Sequence, residues 1–192
     1  MNFRRDFEDY FDQCRTLGNL STKSFEQYKL KYASPKTQES PTSLIPGQFY
    51  AFYYDSTPNK VGFVNKRPIV FYLGKDESKP RENLVGMDLI LMPPKDRLNF
   101  MVRYNEVYAN VIEQNERGAN IPLKVNKQIV ETLWGGIPYN FSYRSYNILK
   151  MKGISKIDQA DWKNLIYLNT KSLEGSLSIE EIYKKIEDGR IS

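Results

Sequence analysis

The residues best equipped for chemistry lie between Tyr139 and Lys156. Arg144, Lys150, Lys152 and Lys156 are interleaved there with Tyr139, Phe141, Tyr143 and Tyr146, and residues 137–156 contain no acid. Cations beside flat rings can track a phosphate backbone and stack on bases. The same pattern also describes a helix with its aromatics in a core and its bases in water, and four charges over eighteen residues are not a dense run. Two acid pairs are the other candidates: Asp88 and Asp96 flank Pro93-Pro94, and Asp158 and Asp161 share a turn. Paired carboxylates can hold a divalent metal for phosphoryl chemistry. Turn aspartates far more often cap the local backbone, and no Asp/Glu…Glu-x-Lys cluster accompanies these. With no histidine and only Cys14, the chain cannot build a Cys/His zinc site, histidine acid–base catalysis or an internal disulfide. Neither GxxxxGK[ST] nor GxGxxG occurs. The expectation is a non-enzyme without catalytic residues, metal or cofactor.

These residues must be positioned by a framework, and its centre is Pro46–Arg97. Pro46-Gly47 turns into the aromatic run Gln48–Tyr54, and Asp55–Lys60 and a Gly/Asn-rich connection follow. Arg67-Pro68 opens Ile69–Leu73, the charged loop Gly74–Asn83 leads into Leu84–Met92, and Pro93-Pro94 stops it. Short β-branched and aromatic runs bounded by Gly, Pro, Asn and Asp predict a small antiparallel sheet. Gly86 inside a strand predicts a bulge or a close backbone approach.

Pro94–Glu116 has the clearest helical pattern, with Leu98, Met101, Val102, Val107, Val111 and Ile112 on its apolar face and Phe100, Tyr104 and Tyr108 adding bulk. Val125–Trp134 reads as another helix. Residues 137–152 read as a basic helix that gives way, after Gly153, to a strand over Ile154–Ile157. Trp162 seats the next segment, and Leu165–Leu168 alternates as a closing strand.

The two ends read as appendages. Asn2–Leu17 carries Phe3, Phe7, Tyr10, Phe11, Cys14 and Leu17 on one helical face, Ser21–Tyr32 suits a second short helix, and Ala33–Ile45 is a polar Ser/Thr/Pro-rich arm. Ser178-Ile179-Glu180-Glu181 has the form of a capping box before a short helix with Ile182, Tyr183 and Ile186 as its apolar side. Three units follow: an N-terminal helix and arm over 1–45, a core domain over 46–170, and a helical tail over 171–192. Residues 47–170 hold seventeen bases and twelve acids, the whole of the net +5. That balance permits nucleic-acid contact without demanding it. The acid- and aromatic-rich N-terminus is no secretory signal, and no apolar run approaches the ~20 residues that span a bilayer. A reducing cytoplasm without membrane contact is the expected setting.

The order of motifs resembles a family of small virion proteins of large tailed bacteriophages, those described as DNA end protectors of contractile-tailed phages. The elements that carry the likeness are Gly47, Tyr50, Phe52 and Tyr54; Pro68, Ile69 and Val70; Gly86, Met87, Asp88 and Leu89; Pro93, Pro94 and Arg97; Tyr143, Arg144 and Tyr146; and Trp162. They span residues 47–170. The chain departs from the family pattern at Asn65-Lys66-Arg67, where Tyr-Asp is usual, and at Ile90-Leu91, where His-Tyr is usual. The Lys, Asn, Ile and Tyr bias suits a phage of a low-GC host, the crAss-like group among them.

The resemblance implies a virion protein assembled in the bacterial cytoplasm. The expected fold is α+β, a small bent antiparallel sheet akin to a Src-homology-3-type barrel, with inserted helices and helical extensions at both ends. The first functional expectation is a neck or tail ring or connector subunit. It would contact further copies of itself and neighbouring neck, tail or portal proteins through Phe3, Phe7, Tyr10, Phe11, Ile182, Tyr183 and Ile186. The alternative is a protein that protects the end of packaged double-stranded DNA through Arg144, Lys150, Lys152 and Lys156.

Overall fold

The computed structural model describes residues 43–56, 63–92, 94–119 and 142–157, together with positions 121, 125, 129, 132, 133, 162, 165, 173–175, 181 and 184. The aromatic run after the Pro46-Gly47 turn forms β1 (Phe49–Tyr54). β2 (Phe63–Asn65), β3 (Ile69–Lys75) and β4 (Asn83–Asp88) follow, then α1 (Pro94–Glu116), β5 (Tyr143–Asn147), β6 (Met151–Lys156) and β7 (Leu173–Gly175). Five strands make one antiparallel sheet in the order β5-β4-β3-β1-β6, and β2 pairs with β7.

Both faces of the sheet carry buried side chains, Phe49 on one side and Tyr50 and Phe52 on the other, which is why β1 is rich in aromatics instead of alternating, while Tyr53 near its end is exposed. Phe49 and Ala51 face one side, where Phe71, Met87, Phe100, Met101, Tyr104 and Trp162 form the larger core beneath α1. The Phe49 ring lies 5.2 Å from each of the Phe71, Tyr104 and Trp162 rings. Two polar tips are satisfied in this core: the Tyr104 hydroxyl donates to the Gly47 carbonyl at 2.8 Å, and Trp162 Nε1 donates to Ile157 O at 3.1 Å. The opposite side holds Tyr50, Phe52, Val70, Tyr72, Leu84, Tyr146, Met151 and Ile154, contributed by all five strands. For β5 and β6, the two sheet edges, to meet in one cluster, the sheet must curl strongly. A three-residue 3-10 turn, Ile148–Lys150, joins those edges. No ladder pairs β5 with β6 among the described residues, so the sheet, expected to be bent and barrel-like, is curled but open.

Gly86 is the predicted close approach. A Cβ there would lie 2.7 Å from the Phe71 carbonyl oxygen and nearer still to Val70 Cγ1, and the register shift sits opposite, between Tyr72 and Gly74 of β3. β4 ends at Asp88, short of the predicted Met92. The Asp88 side chain accepts from Ile90 N and winds Leu89–Leu91 into a 3-10 turn. Arg97, 2% exposed, donates from Nε to Met92 O at 2.8 Å, which ties the end of that turn to the first turn of α1 across the proline pair. The face of α1 is as predicted at Phe100, Met101, Tyr104, Tyr108 and Val111, while Val107 is exposed.

The main correction concerns the basic segment. Residues 143–156 form two strands and a 3-10 turn, not a helix followed by a strand. β4 presents a ladder that β5 completes, with Arg144 opposite Gly86 and Tyr146 opposite Leu84, and β6 does the same for β1. Gly153 at φ 60 lets β6 pass its irregularity against β1. Phe63–Asn65, read as part of a connection, is a strand because β7 pairs with it. Leu165 lies in a 3-10 turn instead of the start of a closing strand, and residues 166–168 lie outside the described residues. Of the 125–134 helix Ile129, Thr132 and Leu133 are described and helical, while Val125, its predicted first residue, is described and not helical; of the tail helix only Glu181 and Lys184 are described, both helical. The predicted helices over 2–17 and 21–32 lie outside the described residues.

Candidate nucleic-acid interface

The strand–turn–strand over 143–156 divides the four predicted bases between two faces. In a strand, residues two apart share a face. Arg144 therefore sides with Tyr146, toward the concave cluster, and lies half-buried. Lys156 is opposite Tyr50, on the rim of that same face, and is exposed. Lys150 and Lys152 fall on the other side and are exposed. Lys152 is opposite Tyr53, and Asp55 N donates to Lys150 O at 2.8 Å, which extends the register by one residue beyond Tyr54–Met151.

Arg144 opens into a cleft of about 220 Å³ lined by Tyr54, Asn65, Asp88, Tyr143 and Tyr146 among others. At its floor Asp88 is 1% exposed. Its Oδ2 accepts from Asn65 Nδ2 at 2.7 Å and from the Tyr146 hydroxyl at 3.2 Å, and its Oδ1 accepts from Ile90 N at 3.1 Å. Asn65 is itself oriented, since its Oδ1 accepts from Arg67 N at 3.1 Å. Burial pushes the Asp88 carboxyl up to about 6; the hydrogen bonds from Asn65 and Ile90, the Arg144 charge and the Tyr146 hydroxyl act the other way. Tyr146 is fully enclosed and held well above its usual range, first by burial and then by the Asp88 charge. The arrangement is a satisfied polar tie that joins β2, β4 and β5. A shifted carboxylate in a cleft is also the mark of a functional site. Asp96, its proposed metal partner, does not line this cleft. Among the described residues no three His, Cys, Asp or Glu side chains gather to hold a metal. Asp158 and Asp161 lie outside the described residues.

The other face is more strongly basic. Lys152 Nζ donates to Asp55 Oδ2 at 2.7 Å, with both side chains more than half exposed. That hydrogen bond, the Lys152 charge and then the Lys66 and Lys150 charges hold the Asp55 carboxyl below its usual value, and the same contact raises Lys152. The Lys66 ammonium donates to the Ser56 carbonyl, and Lys66 O accepts from Tyr54 N at 2.9 Å. Three lysines from two separate segments thus surround one aspartate. Tyr53 is 41% exposed beside them, and Leu149, the residue before Lys150, is 88% exposed. Tyr53, Lys66 and Leu149 do not stand out in the sequence. Tyr53 is hidden in an all-aromatic run, and Lys66 lies 84 residues before Lys150 in the chain. Phe3, Phe7, Tyr10, Phe11, Ile182, Tyr183 and Ile186 lie outside the described residues.

No helix among the described residues is long and apolar enough to cross a membrane. No curated protein and no solved structure matches the chain. One family model does, described as Phage T4 terminal DNA protecting protein, and it aligns with residues 2–185. That span takes in the sheet, α1, the 143–156 segment, the N-terminal region and part of the C-terminal tail, well beyond the 47–170 in which the motif order was legible, and by it the chain belongs to the phage terminal DNA protecting protein family.

Proposed function

We propose that this protein binds the end of a linear double-stranded phage genome and blocks access to it, acting by occupancy and not by catalysis. The observation that carries the reading is the family match over residues 2–185. It favours DNA-end protection over the ring or connector subunit that was the first expectation. The surface chemistry is in keeping: Lys150 and Lys152 stand on one exposed face with Lys66 beside them, and Lys156 lies farther along β6. Arg144 takes a different part, its charge favouring the Asp88 carboxylate in the cleft. In this reading the protein travels in the virion.

The curled sheet serves as the rigid block that presents these groups. We read it as a half-closed relative of the Src-homology-3-type barrel. The support is its strand order and the three-residue 3-10 connection between its two edges.

The test is binding to a short blunt duplex against the same duplex closed by a hairpin at each end, followed over a range of salt. The protein is expected to prefer the open duplex and to lose affinity steeply as salt rises, with a slope of about −0.9 per phosphate engaged. Equal affinity for both duplexes, or no affinity for either, contradicts the proposal.

A further inference from the structure

Resting on the end-binding reading, we infer that the exposed Leu149 and Tyr53, with Lys66, Lys150 and Lys152 grouped about Asp55, form the surface that receives the blunt terminal base pair of duplex DNA. The apolar residues cover its open face and the lysines meet the phosphates of the last turn.

Leu149 is the most exposed large apolar residue described, at 88%, twice the 44% of Ile45. This exposure is built in. Asn147 Oδ1 accepts from Leu149 N at 3.0 Å, Asn147 N donates to the Tyr54 hydroxyl at 3.2 Å, and Asp55 N holds Lys150 O. The turn thus holds Leu149 outward on a backbone anchored to β1 on either side of it. Tyr53, opposite Lys152, presents a ring on the face that also bears Lys150.

The charge of the patch selects the occupant. Three lysines surround the single Asp55, an excess of two positive charges. Inside a duplex both faces of every base pair are stacked, so an apolar tip there finds only sugars and phosphates. At a blunt end one flat face is bare and phosphates flank it. Apolar contact with that face is sequence-tolerant, because every base has one, and the lysine contacts are equally indifferent to sequence.

The experiment uses the full chain and a blunt duplex carrying 2-aminopurine in its terminal pair, with the hairpin-closed duplex as comparison. The wild-type protein is expected to change the terminal fluorescence and to prefer the blunt duplex. Tyr53→Ala is expected to lower that preference about tenfold, the order of one lost stacking contact, and Leu149→Asp to lower it as well by placing a negative charge against the terminal phosphates. Because Leu149 is exposed, its variant is expected to melt like the wild type. Lys150→Ala/Lys152→Ala is expected to weaken binding to both duplexes and to reduce the salt slope by about 2. If the wild type prefers the blunt duplex and the Leu149 and Tyr53 variants keep that preference, end binding stands and this patch is the wrong surface. Should Leu149→Asp instead alter the oligomeric state in sedimentation while end preference persists, the patch joins copies of the chain and the inference falls. A wild type indifferent to ends overturns both readings.

Discussion

Asp88 shows how one side chain can be both structural and a liability. Its carboxyl is pushed up to about 6 by burial, above the 3.8 of a free aspartate. Between those values the folded chain binds the proton more tightly than the unfolded one, so stability falls as pH rises from about 4 to about 6 and then levels off. A displacement of that size is worth about 3 kcal/mol. Asp76 acts in a separate and opposite window. The Ser78 and Ser145 hydroxyls hold it at about 2, so its contribution is lost only as pH falls below about 4. Denaturant midpoints measured from pH 4 to pH 7 are expected to decline in the wild type and to stay nearly level in Asp88→Asn. An equal decline in both would remove Asp88 as the cause. The Asn65–Asp88 contact joins residues 23 apart that no local pattern couples, and so it was not legible in the sequence.

At the scale of elements, the strands that local chemistry dictates were legible and those that tertiary pairing dictates were not. β1 and β3 carry β-branched and aromatic runs between turn residues, and α1 carries an apolar stripe behind a proline; all three stand where those signals put them. The 143–156 segment has tyrosines at spacings that suit a helix or a strand. The open ladders of β4 and β1 decide between the two. β2 is three residues long and exists because a segment more than a hundred residues later pairs with it. Gly86 was legible because only an absent side chain admits the Phe71 carbonyl so closely. Gly86→Ala is expected to cost about 1–3 kcal/mol by forcing β3 and β4 apart. A urea titration checks this, and an unchanged midpoint would mean that the strands part without strain.

For the whole molecule, one sheet supports two kinds of surface. Its convex side carries α1 and the larger core, its concave side closes on a second aromatic cluster, and the short turn joining its edges brings the Leu149–Lys152 segment alongside β1. The candidate site was only half legible for the same reason. Lys150 and Lys152 drew attention as bases among aromatics, but Tyr53 and Lys66 reach them only through the register of β1 with β6 and the contacts around Asp55. The central claim is that the protein guards ends by occupying them. The most direct measurement is protection of blunt linear duplexes of several lengths from a double-strand exonuclease, with the protein titrated at a fixed concentration of ends. The account predicts that full protection comes at the same amount of protein per end whatever the length. Protection that scales with the total DNA, or none at all, would contradict it.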